Sequence, residues 1–121
     1  IAHREIIRTT HNNAVLHGHP RFSVILSMDC ERKDCEMIGQ CHIKCPQERF
    51  VDDIRIVPGE VGAGPRGLCN THPPAMLDRR GVIVYGHGVF TVAMDDFNVA
   101  FENLLAIEKM CRDEYFRRLG R

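Results

Sequence analysis

The sequence predicts an α/β domain in which helices cover a central sheet. Short β-branched runs typical of buried strands alternate along the chain with amphipathic segments typical of helices. The 121 residues are 44% hydrophobic and 26% charged, which fits one ordinary globular domain and excludes a disordered or membrane-spanning chain. We therefore expect a single domain over residues 1–121.

The first part of the chain predicts a helix, a strand and a second helix. Residues 1–10 have the pattern of an amphipathic helix, and two asparagines at 12–13 then signal a turn. The apolar residues 14–16 predict a buried strand that ends at His17. Pro20 cannot continue a sheet ladder but suits the first turn of a helix, so a short apolar helix of about 8–10 residues should follow.

Three more strands are expected further along the chain. Residues 53–58 alternate apolar and polar positions and close on a proline, and a glycine-rich loop follows them. That loop matches neither a P-loop nor a dinucleotide fingerprint, so we assign it no ligand. Residues 82–85 and 89–92 are β-branched runs on either side of a His-Gly turn at 87–88.

The last segment predicts one long helix, from an N-cap at Asp95 or Asp96 to a stop at Gly120. Its apolar residues recur every three or four positions, which indicates a core-packing face or a subunit interface. They are Phe97, Ala100, Phe101, Leu104, Ile107, Cys111 and Tyr115.

Three histidines stand at the ends of predicted strands. His17 and His19 are two residues apart, so in an extended strand they project from the same face. His87 follows another apolar run and is flanked by glycines, which permit a tight turn. Three neutral imidazoles that leave a fourth position open are the ligand set of a catalytic zinc ion. The alternative is three unrelated histidines, each satisfied by its own hydrogen bond.

A polar, cysteine-rich insert over residues 29–50 interrupts the predicted elements. Its four thiols favour a structural zinc or iron–sulfur site, although their spacing is not the paired C-x2-C of zinc ribbons. Disulfides are the rival interpretation, and free thiols are the third, so the state of the insert stays open. The four residues are Cys30, Cys35, Cys41 and Cys45.

Charge and hydropathy argue against two classes of partner. Lys plus Arg and Asp plus Glu both total 16, which removes the basic excess typical of nucleic-acid binding. No run of about 18 apolar residues exists, and no basic-then-apolar signal segment opens the chain. We expect a cytoplasmic protein with neither a nucleic-acid nor a membrane partner.

Three segments resemble the class II aldolase/adducin family: AVLHGHP at residues 14–20, YGHG at 85–88, and FNVAFE at 97–102, with Ile107 and Glu108 following the last. The resemblance implies a three-layer αβα sandwich with a central mixed or antiparallel sheet. It also implies a symmetric homotetramer.

The resemblance assigns Zn²⁺, or another divalent metal, to His17, His19 and His87. The implied activity is that of a lyase, namely retro-aldol cleavage of a sugar phosphate or related hydroxy-ketone, in which zinc polarises the carbonyl and stabilises the enediolate. Epimerisation and decarboxylation of a sugar acid use the same chemistry and stay open. The alternative from another class is a non-catalytic, adducin-like interaction module.

One departure from the family pattern concerns the acid–base glutamate, which would fall before Ile1. The loops that grip a substrate phosphate would lie earlier still. We therefore expect a chain truncated at its N-terminus that forms the metal-binding part of the enzyme, and we assign it no catalytic residue. By itself it should be inactive or nearly so.

Overall fold

The computed structural model describes Arg4 and residues 6–8, 13–29, 49–58 and 80–120. The four cysteines of the insert and the glycine-rich loop lie outside these residues. Arg4 and residues 6–8 are helical. The other elements are β1 (Ala14–Gly18), α1 (Arg21–Met28), β2 (Arg49–Val51), β3 (Ile54–Val57), β4 (Gly81–Val84), β5 (Gly88–Ala93) and α2 (Phe97–Leu119).

The strands form one five-stranded sheet in the order β1-β5-β4-β3-β2. The β3 and β4 strands are parallel, whereas the other three pairs are antiparallel, so the sheet is mixed, one of the two arrangements that were expected. The pairing of β1 with β5 runs from Ala14 opposite Ala93 to Gly18 opposite Val89. The strand β1, which contains His17 and is followed by His19, therefore lies directly beside β5, which follows His87.

Helical residues cover both faces of the sheet. On one face, α1 and α2 pack Leu26, Ile107 and Cys111 against apolar residues of β2 to β5. On the other face, Ile6 lies against a cluster formed by Val15, Val57, Val82, Val84, Phe90 and Val92. This arrangement confirms the α/β sandwich with a central mixed sheet. Within the described ranges, no helix combines the length and the apolar character needed to cross a membrane.

The helix α1 begins immediately after Pro20, as predicted, but its buried face differs from the apolar face of its sequence. Ser23, Leu26 and Ser27 are buried, whereas Ile25 and Met28 are 40% and 54% exposed. The serines are tolerated in the interior because each makes hydrogen bonds there.

The predicted bounds of α2 are confirmed. The side chain of Asp96 accepts a hydrogen bond from the Asn98 N–H at its start, and Gly120 is the C-cap. The predicted apolar stripe is only partly buried, because Phe97 and Phe101 are 62% and 50% exposed. Phe101 follows the buried Ala100 and therefore lies about 100° around the helix from it.

Candidate metal centre

The end of β1 brings two imidazoles together. The ring centroids of His17 and His19 lie 4.6 Å apart, with an angle of 76° between the ring planes. His17 also stacks on Phe90, its partner in β5, at a centroid distance of 4.1 Å and an interplanar angle of 28°. The alternation of side chains along the strand places both histidines on the face that carries Phe90.

A hydrogen bond defines the tautomer of His17. Its Nδ1 lies 3.1 Å from the carbonyl oxygen of Val89. Because a carbonyl oxygen only accepts, Nδ1 must carry the proton, and in the neutral ring the lone pair is then on Nε2. Metal-binding histidines usually donate their second ring N–H to a carbonyl or a carboxylate in this way. The side chain is therefore suited to bind a cation through Nε2.

Close contact between β1 and β5 depends on a glycine. Gly88 has φ +117°, and a Cβ built there would lie 2.2 Å from the carbonyl oxygen of Gly18 and 3.1 Å from Nδ1 of His19. A larger residue would push the two strands apart. This contact places the His87 turn, which directly precedes Gly88, beside the end of β1.

The turn that carries His87 is held by three hydrogen bonds from consecutive N–H groups. Tyr85 donates to the Val57 carbonyl at 3.0 Å, and His87 donates to the Val84 carbonyl at 2.9 Å. Between them, Gly86 donates to the Ser27 hydroxyl at 2.9 Å. Gly86 has φ +68°, a left-handed conformation that favours glycine at the third position of a turn.

The start of α1, just after His19, is held by a carboxylate from α2. The Glu108 carboxylate accepts hydrogen bonds from the N–H groups of Phe22 and Ser23 and from the Ser23 hydroxyl, each at 2.8 Å. The N-cap residue, Pro20, provides no side-chain cap of its own. The negative charge also lies where the helix dipole favours it.

Residues 1–115 match the family model described as the Class II Aldolase and Adducin N-terminal domain. The chain belongs to the class II aldolase and adducin family. A solved structure, L-fuculose-1-phosphate aldolase from Thermus thermophilus, is similar with a TM-score of 0.68 at 21% sequence identity, and this likeness shows the fold. The match covers 98% of this chain and 59% of that chain. The search of curated proteins returned no match.

The described side chains of this family member do not come together as a three-ligand metal site. Among the described residues, no three His, Cys, Asp or Glu side chains are grouped so that they could hold a metal ion. The structure places the rings of His17 and His19 in contact, and it brings the backbone of His87 to the same end of the sheet. The four cysteines lie outside the described residues, so their metal, disulfide and free-thiol interpretations stay predictions.

Sequence reasoning assigned no role to three polar residues that support the candidate site in this class II aldolase fold. Ser23, Ser27 and Glu108 make their contacts across 59 to 86 residues of chain, a separation that no local pattern reveals. The one available signal was the proline at the N-cap of α1. A helix that begins on a residue without a capping side chain needs a hydrogen-bond acceptor from elsewhere.

Proposed function

We propose that this chain carries the metal site of an aldolase-type lyase, with Zn²⁺ or another divalent cation bound by His17, His19 and His87. One observation carries the proposal. The hydrogen bond from Nδ1 of His17 to the Val89 carbonyl places the lone pair of the neutral ring on Nε2, and a second imidazole lies beside this ring. Membership of the class II aldolase and adducin family supports the same chemistry.

The cation supplies a Lewis acid for the carbonyl and hydroxyl oxygens of a sugar phosphate or related hydroxy-ketone. The residues of this chain hold and orient it. Stacking on Phe90 and the hydrogen bond to Val89 keep the His17 ring in one orientation, so little reorganisation is needed on binding. The close contact of Gly88 with Gly18 keeps the His87 turn beside that ring pair.

Cleavage also requires a base that removes the proton of the substrate hydroxyl while the carbon–carbon bond breaks. No residue of the 121 is assigned that role.

We also propose a homo-oligomer, a tetramer as the resemblance implies. Phe97, Phe101 and Leu105 are spaced four residues apart on α2 and are each at least half exposed, so they form one apolar face. Sedimentation at micromolar concentration should show an assembly larger than one chain. A monomer at that concentration would contradict the oligomer without affecting the metal site.

The activity is tested on the gene product that contains this chain, with ketose and hydroxy-ketone phosphates as substrates and with analysis of the products. We expect cleavage that stops when the metal is removed by a chelator and returns when Zn²⁺ is added. Epimerised or decarboxylated products would show that the protein catalyses one of these related reactions and not retro-aldol cleavage. Metal binding without turnover of any of these substrates would favour the adducin-like interaction module.

A further inference from the structure

Ser27 makes a long-range contact although it is not one of the three proposed metal ligands. Its side chain is fully buried on α1, and its hydroxyl donates to the Val24 carbonyl at 2.7 Å. A serine hydroxyl has a single proton, so its remaining capacity is to accept. It accepts from the N–H of Gly86, a residue 59 positions away in the His87 turn.

Among the three hydrogen bonds that hold this turn, only the one to Ser27 uses a side chain. The acceptors for Tyr85 and His87 are backbone carbonyls of β3 and β4. A substitution can therefore remove the Ser27 acceptor without changing the acceptors of the other two hydrogen bonds. If the Ser27 hydroxyl is lost, the Gly86 N–H is left without that partner.

The helix that carries Ser27 is itself held in place. Its first residue, Arg21, is two positions after His19, and Glu108 binds its N-terminal N–H groups. At the other end, the guanidinium of Arg49 donates to the carbonyl of Ser27 at 2.9 Å. From Arg21 to Ser27 the helix advances about 9 Å, since each residue adds about 1.5 Å. A rigid segment of defined length thus lies between the pair His17 and His19 and the turn of His87.

We propose that Ser27 is a positioning residue that holds the His87 turn at a set distance from the other two histidines. The effect on metal affinity rests on the proposed function, but the effect on the turn does not. Two other buried hydroxyls of the described residues bind elsewhere. Ser23 donates to Glu108, and Thr91 donates to the Ala100 carbonyl at 2.7 Å.

The first experiment measures amide hydrogen exchange of Gly86 in the metal-free protein by NMR. Ser27→Ala is compared with Thr91→Val, a matched control that removes a buried hydroxyl with a 2.7 Å hydrogen bond but does not touch the turn. We expect the exchange rate of the Gly86 amide to rise about tenfold or more in Ser27→Ala alone. In that variant the turn can open without breaking a hydrogen bond from Gly86 to residue 27. Equal exchange in both variants would overturn the proposal.

The second experiment titrates the same proteins with Co²⁺ and follows the visible absorption of the bound ion. We expect Ser27→Ala to weaken binding by about 10–100-fold, the usual effect of losing a group that supports a ligand, and Thr91→Val to weaken it by less than about threefold. Similar losses in both variants would overturn the positioning role.

Two other outcomes are possible: the protein binds no metal through its histidines, or the Ser27→Ala variant does not fold. If the wild-type protein binds no Co²⁺ through its histidines, the proposed function fails, while exchange at Gly86 still decides whether Ser27 holds the turn. If Ser27→Ala does not fold, Ser27→Cys replaces it, because a thiol fills the same space but accepts a hydrogen bond weakly. Exchange in Ser27→Cys that matches the wild type would then overturn the proposal.

Discussion

Replacing Glu108 with alanine should destabilise the protein by about 2 kcal/mol. The carboxylate accepts three hydrogen bonds of 2.8 Å at the start of α1. A hydrogen bond to a charged group contributes about 1.5–3 kcal/mol, and losing a helix N-cap costs about 0.5–2 kcal/mol. The three bonds share one partly buried carboxylate, and water can replace part of what is lost, so we take a value near the cost of one cap. This is a substantial fraction of the stability of a typical domain, about 5–15 kcal/mol.

Urea unfolding followed by circular dichroism measures this free energy, with Glu102→Ala as the matched control on the same helix. Glu102 is exposed, and its removal should change the free energy of unfolding by less than about 0.5 kcal/mol. If Glu108→Ala is no less stable than Glu102→Ala, the carboxylate does not hold the start of α1. The account of how the segment after His19 is fixed would then be wrong.

Two further predictions concern the β1–β5 contact and the buried thiol. Gly88→Ala should cost about 3 kcal/mol or more in thermal unfolding, because its Cβ would lie 2.2 Å from the Gly18 carbonyl oxygen, whereas Gly120→Ala meets only ordinary contacts and should be nearly neutral. Equal melting temperatures in the two variants would contradict this close approach. Burial raises the pKa of the Cys111 thiol from 9.0 to about 11, so the folded state keeps its proton where the unfolded chain loses it. The contribution of this pKa difference to the free energy of unfolding is fully present below pH 9. It should fall by about 2–3 kcal/mol as the pH rises through 11. Cys111→Ala should lack this component of the pH dependence, and an unchanged slope would refute the assignment.

The strands and the long helix were predictable because their signals are local. The run at 82–85 became β4 at Gly81–Val84, and capping residues at Asp96 and Gly120 marked the ends of α2. The strand β2, which begins within the last two residues of the predicted insert 29–50, was missed because three residues are too few to show alternation. Its pairing with β3 stabilises it, and that pairing is a tertiary feature.

The candidate site was predictable only in its local part. The spacing of His17 and His19 specifies a shared face, and the structure brings their rings together. The approach of His87 depends on the register of β1 with β5 and on a contact at Gly88, neither of which a sequence pattern shows. The burial of Ser27 was not predictable for a similar reason. Hydrophobic periodicity places a serine on the exposed side of a helix, and the Gly86 N–H that binds the buried hydroxyl is 59 residues away in the sequence.

The most direct test of the central claim is the metal content of the purified protein after equilibrium dialysis against Zn²⁺. All variants are made in a background in which the four cysteines of the insert are serine, so that thiol-bound metal does not contribute. The protein should bind one ion per chain. His17→Ala, His19→Ala and His87→Ala should each lose most of it, whereas His72→Ala, the same substitution at an unassigned histidine, should keep it. Metal content in His19→Ala equal to that of the unsubstituted protein would contradict the three-histidine site.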